Sequence, residues 1–157
     1  YKVCREGNFT SFPGLYGWFF RNCNTLPLSS NVGTMKKFLH AVKTLLSRNE
    51  KILIYPEQAM WWNYRKPRPT EPGAYKIAAM NKVPIIPLFI TMNDSELIGG
   101  DGFPIQEYTI HILPAIYPKE DAGVKENCEY LQKENYRVCK EVYEKVYGIK
   151  LQYLKEE

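Results

Sequence analysis

The stretch Ile52-Leu53-Ile54-Tyr55-Pro56-Glu57-Gln58-Ala59-Met60 places a carboxylate directly after an apolar run. If that run is a buried strand, Glu57 stands at its carboxyl end, where ligands bind in open α/β sheets. A carboxylate held there orients a ligand hydroxyl or pairs with a basic side chain. Equally, it caps its own turn or neutralises a local arginine. The next nine residues, Trp61-Trp62-Asn63-Tyr64-Arg65-Lys66-Pro67-Arg68-Pro69, hold three cations and three aromatics. Arginine forks grip phosphate in a bidentate manner, and lysine holds it as a point charge. Exposed Trp and Tyr partition to membrane interfaces. The bland alternative is a solvated loop whose Trp pair belongs to the core. A helix starting at Pro72 would add its first N–H groups for an anion.

Other chemistry-bearing residues are sparse. His40 and His111 are the two histidines. The 3.6-residue pattern places His40 on the polar face of a helix, and the alternation around His111 places it on one face of a strand. The cysteines Cys4, Cys23, Cys128 and Cys139 form no C-x-x-C pair, which argues against zinc and against thioredoxin-type chemistry. Cys128 and Cys139 fall in one helical stretch, about 16 Å apart at 1.5 Å per residue, too far for a disulfide. All four read as reduced thiols of a cytosolic protein. No metal site is expected.

The elements that position these groups follow from periodicity. Residues 14–21 read as a short helix or aromatic turn, and Leu26-Pro27-Leu28 as a short strand. Met35, Phe38, Leu39, Val42, Leu45 and Leu46 form one stripe of a helix over 34–48. Residues 51–55 are expected to be a buried strand. Residues 72–82 return to helix, with Thr70 as N-cap and Pro72 in the first turn. Residues 83–91 read as a second buried strand, at an edge or bulge because of Pro84 and Pro87. A loop over 93–106, a third strand over 108–113 and a long helix over 121–147 complete the chain. That order predicts an α/β fold, with a mixed or mostly parallel sheet flanked by helices.

Composition bounds the rest. At 157 residues, the chain is expected to form a single α/β domain over 1–157. Its mix of charged and apolar residues excludes a disordered tail or a collagen-like repeat. The longest nearly apolar run, 83–92, is ten residues, against roughly 20 for a membrane-spanning helix. No signal peptide is visible. The net charge of +4 conceals an asymmetry: residues 1–70 carry 11 Lys and Arg against three acids, and residues 71–157 carry 10 against 14. A basic half suits an anionic partner such as phosphate or a lipid headgroup, or is an unevenly charged solvated surface. No basic helical stripe or RNA-type aromatic motif is present, so nucleic acid is not expected as a partner.

Ile54-Tyr55-Pro56-Glu57, then Pro72-Gly73-Ala74-Tyr75-Lys76-Ile77-Ala78, then Val83-Pro84-Ile85-Ile86-Pro87-Leu88 occur in the order of three family motifs. From about Gly14 to Thr91, the chain resembles the glycerolipid acyltransferases of the 1-acylglycerol-3-phosphate type. That family carries F-P-E-G-T-R-S, a G-A-F-K helix and a V-P-I-I-P-V strand. Its catalytic H-x-x-x-x-D lies upstream of the region matching Gly14 to Gly17. Neither histidine here fits, since Leu45 follows His40 by five residues and Ile116 follows His111. The resemblance therefore implies a chain that is the C-terminal portion of a longer one, with the catalytic His and Asp before Tyr1. Two further departures concern the acceptor. Gln58-Ala59-Met60 replaces Gly-Thr-Arg, and Ser29-Ser30 stands where an arginine usually ends the second motif.

What the resemblance implies is transfer of a fatty acyl group from a thioester, on coenzyme A or acyl carrier protein, to an acceptor hydroxyl. No bound cofactor is implied; the thioester is a co-substrate. The acceptor would be a lysophospholipid or a glycerol-phosphate-like molecule. Tyr55, Pro56, Glu57 and Gln58 would bind it, and Arg65, Lys66 and Arg68 would neutralise its phosphate. Pro84 and Pro87 would shape the acyl pocket. Trp61 and Trp62 would meet the membrane interface, at an anionic cytoplasmic leaflet where the protein is peripherally associated. The alternative is a non-catalytic lipid- or phosphate-binding module on the same fold.

Overall fold

The computed structural model describes residues 1–59 and 61–153. The chain forms two compact units, Tyr1–Pro56 and Glu57–Glu157.

In the first unit, β1 (Lys2–Arg5) pairs in parallel with β2 (Thr25–Leu28). Two short helices, α1 (Glu6–Ser11) and α2 (Gly14–Asn22), connect them. The first helix with a full apolar stripe is α3 (Val32–Ser47). Asn31 caps it by accepting the Thr34 N–H at 3.1 Å, and Phe38, Val42 and Leu45 are its buried face. Leu39, expected in that stripe, is exposed. The buried strand expected over 51–55 is corrected to a single parallel bridge between Leu53 and Lys2. Val3 N–H donates to Leu53 at 3.0 Å, and Leu53 N–H donates to Tyr1 at 2.7 Å. β1 is only four residues long, which leaves little ladder for the segment to join. Lys51, Leu53 and Tyr55 are exposed on its outer side.

In the second unit, α4 (Gly73–Asn81) packs on α5 (Val124–Tyr147). Tyr75, Ala78, Ala79, Cys128 and Leu131 bury between them. Small alanines on α4 let the two helices approach closely. Pro72 occupies the N-cap position of α4 without a side-chain cap, so Thr70 is not the cap. The chain leaves α4 through Lys82, in a left-handed conformation.

The two remaining strands, β3 (Leu88–Ile98) and β4 (Pro104–Ile112), form an antiparallel hairpin with Leu88 opposite Ile112 and Asp94 opposite Gln106. Two expectations change here. The strand expected from Val83 starts only at Leu88, because Pro84 and Pro87 cannot donate to a ladder; Ile85 makes one isolated bridge, to Ile116. Most of the loop expected over 93–106 is strand. Its polar residues pair across the hairpin and face solvent, where a strand needs no apolar side chains. The turn lies at residues 99–103, closed by Gly99 N–H to Phe103 at 2.8 Å. Both described sheets are two-stranded, one parallel and one antiparallel, and the fold is mixed α/β.

Phe89 and Thr91 face inward, with Phe89 meeting Cys139 and Tyr143 of α5. The opposite face, with Leu88, Ile90, Ile110 and Ile112, is exposed. The Tyr147 hydroxyl accepts Met92 N–H at 2.8 Å and donates to Met92 C=O at 3.0 Å, acting as one rung of a missing strand. Tyr147→Phe is expected to remove both bonds and lower stability by about 1–2 kcal/mol. Urea unfolding checks this; an unchanged midpoint would show that water replaces the phenol at no cost.

Among the described residues, no helix is long and apolar enough to cross a membrane. The four cysteines are free, and Cys128 and Cys139 are both buried in α5. Burial pushes the Cys139 thiol up to about 11, with the Glu57 charge adding to the shift.

Candidate functional site

Pro56 and Glu57 form a turn, and Gln58 then takes φ +53°. This left-handed conformation suits glycine best. Glycine is the residue the resembled motif carries at this point, so Gln58 keeps the backbone course without the residue that favours it. Asn63 repeats the device at φ +50°. The loop thus folds back, and Arg68 N–H donates to Glu57 Oε1 at 3.3 Å. Glu57 is half-buried. Burial pushes its carboxyl up, against the opposing pull of the Arg68 N–H and guanidinium.

The structure divides the three cations of the loop. Arg65 donates from Nη2 to Asp94 at 2.6 Å and to Gln106 at 3.2 Å. The Gln106 amide, together with Arg65, holds the Asp94 carboxyl below its usual range. Lys66 donates from Nζ to the Gln152 carbonyl at 2.7 Å. Arg68 is different. Its guanidinium lies 3.9 Å above the centre of the Trp61 ring. Its Nη1 is buried and has no hydrogen-bond partner among the described residues. A buried donor without an acceptor is costly unless an acceptor arrives from outside.

The loop is braced from beneath. Tyr75 donates to Thr70 Oγ1 at 3.0 Å and accepts from Asn135 at 2.9 Å, while Gln132 donates to the Thr70 carbonyl. Burial is the first cause of a Tyr75 phenol raised to about 12, so it stays protonated as a donor. No local sequence pattern signals this network, because its bonds from α5 span 62 and 60 residues.

Tyr55 is exposed, at the end of the first unit. Trp61 and Trp62 are both exposed, Trp62 at 84 %, and Trp61 meets Tyr64 edge-on at 5.1 Å. Pro84 is exposed, and Pro87 is buried with its carbonyl accepting Leu113 N–H at 3.0 Å. A groove of about 690 Å³ runs between residues 113–117 and α5, and neither proline is among its walls. His40 is exposed on α3, whereas His111 Nε2 lies 2.8 Å from Thr91 Oγ1 across the hairpin.

These observations define an α/β protein whose loop after Pro56 sets a half-buried carboxylate beside an arginine whose buried Nη1 has no acceptor among the described residues. Residues 5–91 match the model of the family described as Acyltransferase, which is more than half of the chain, and the chain belongs to that family. Among solved structures, it is similar to the 1-acyl-sn-glycerophosphate (LPA) acyltransferase PlsC from Thermotoga maritima. The TM-score is 0.56 and the identity 18%, over 96% of this chain and 58% of that one. The chain therefore spans less than two thirds of that enzyme's length. No curated protein matches it.

Proposed function

We propose that this chain is the acceptor-binding part of an enzyme that transfers a fatty acyl group from an acyl thioester to a hydroxyl of a lysophospholipid or glycerol-phosphate-like acceptor. The observation that carries this reading is the buried Arg68 Nη1, without a partner among the described residues, on a residue whose backbone N–H is bonded to Glu57. A glycerol phosphate ester has a hydroxyl and a phosphate a few bonds apart. Arg68 would take the phosphate and Glu57 would accept a hydroxyl hydrogen. Trp61 would hold the guanidinium plane by stacking. Family membership supports the acyl-transfer chemistry.

In that chemistry, the acceptor oxygen attacks the thioester carbonyl, the thiol departs, and a general base takes the hydroxyl proton. Neither His40 nor His111 stands in an H-x-x-x-x-D pattern, since Leu45 and Ile116 follow them by five residues. The base and its aspartate are assigned outside residues 1–157, and this chain supplies binding and orientation. Coenzyme A or acyl carrier protein would carry the acyl donor. Exposed Trp61 and Trp62 support peripheral contact with a cytoplasmic membrane surface, where lipid acceptors reside.

The test is Arg68→Gln in the full-length enzyme. The KM for a phosphorylated acceptor is expected to rise about tenfold, the scale of one charge-assisted hydrogen bond. The KM for the acyl donor should stay unchanged, as should transfer to monoacylglycerol, which has no phosphate. A shift confined to the donor KM would overturn the assignment.

A further inference from the structure

Residues 149–153 return from α5 to the loop that carries Arg68. Leu151 packs against the Phe89, Cys139 and Tyr143 cluster, and its N–H donates to Glu144 at 2.9 Å. Gln152 offers its carbonyl to Lys66. Tyr153 donates its phenol hydrogen to the Pro67 carbonyl. That hydrogen is the only one the phenol has, so the 2.9 Å bond to Tyr136 must have Tyr136 as donor. The result is a directed relay: Tyr136 to Tyr153 to Pro67. Pro67 is fully buried, and a proline carbonyl is its only backbone hydrogen-bonding group. Two successive loop residues are thus held by two successive residues of the C-terminal segment, and the next loop residue is Arg68. Burial and the Tyr136 hydroxyl push the Tyr153 phenol well up, which keeps the donor protonated.

We infer that Tyr153 is a positioning residue for Arg68: the C-terminal segment clamps Pro67 and thereby fixes the guanidinium on Trp61 with Nη1 turned toward a phosphate. This rests on the reading of Arg68 as the phosphate-binding residue. Tyr153 touches no substrate in this scheme. Its effect passes through one buried carbonyl.

The experiment titrates glycerol 3-phosphate into the full chain by calorimetry, for Tyr153→Phe, Arg68→Gln and the double variant. Tyr153→Phe is expected to weaken binding about fivefold, the scale of one neutral hydrogen bond. In the Arg68→Gln background it should add nothing, because residues acting through one group are not additive. In the full-length enzyme, the single variant should raise the KM for the phosphorylated acceptor and leave kcat unchanged. Tryptophan emission should change as the guanidinium leaves the Trp61 face. Wild-type affinity in Tyr153→Phe, or a full additional loss in the double variant, overturns the inference while leaving Arg68 in place. Undiminished binding in Arg68→Gln instead overturns the reading beneath it. Should Tyr153→Phe not fold, Tyr136→Phe removes the donor that polarises the Tyr153 hydroxyl on the same relay. The same non-additive loss is then expected, and unchanged affinity overturns the inference.

Discussion

Glu57→Gln is expected to lower acyl transfer by the longer enzyme proposed above about 10- to 100-fold, the range for losing a hydrogen bond to a charged group. The same change is expected to raise thermal stability at neutral pH. Both follow from where the carboxyl stands. Burial is the largest influence on it and raises its pKa, so the folded chain retains a proton that the unfolded chain has released. Stability then falls as pH rises from the ordinary carboxylate range through the raised folded value. Glutamine does not titrate and loses that slope. Its amide oxygen still accepts Arg68 N–H, so the loop keeps its fold-back. Melting temperatures of wild type and variant should therefore converge in acid and separate toward neutral pH, with the variant higher. A variant that melts lower at neutral pH yet turns over normally would show that Glu57 serves the loop alone.

Glu57 is legible in the sequence because Pro56 ends an apolar run and leaves a carboxylate at a turn. The choice among Arg65, Lys66 and Arg68 is not legible. Their fates are decided by partners 29 residues away at Asp94 and 86 away at Gln152, and by the Trp61 ring on which the Arg68 guanidinium lies. The long helices α3 and α5 are legible because their apolar stripes repeat at the helical period over four or more turns. The hairpin is not. Asn93 and Asp94 are turn-forming types, and only their pairing with Glu107 and Gln106 makes a strand of them. The same long-range pairing decides residues 51–55, whose five apolar-rich positions make a single bridge because β1 offers no longer edge.

The α4–α5 contact is where the second unit is most sensitive. Leu131 has no exposed surface and sits in one cluster with Tyr75, Ala78, Ala79 and Cys128. Leu131→Ala removes three carbons from a site whose neighbours on α4 include two alanines, which cannot extend to fill the gap. The expected loss is about 3–4 kcal/mol, toward the middle of the range for leucine truncation in a cavity that does not collapse. Gln132, the next residue, donates to the Thr70 carbonyl, and Asn135 donates to Tyr75. A loosened α5 therefore releases the start of α4 and the end of the site loop together. Urea unfolding should show a lower midpoint with an unchanged slope. Glycerol 3-phosphate should restore part of the loss by mass action, because the site proposed for it survives only in the folded unit. A variant whose midpoint falls by less than 1 kcal/mol equivalent would mean the helices close over the cavity. One that ligand does not stabilise at all would separate the loop from the core that is argued to carry it.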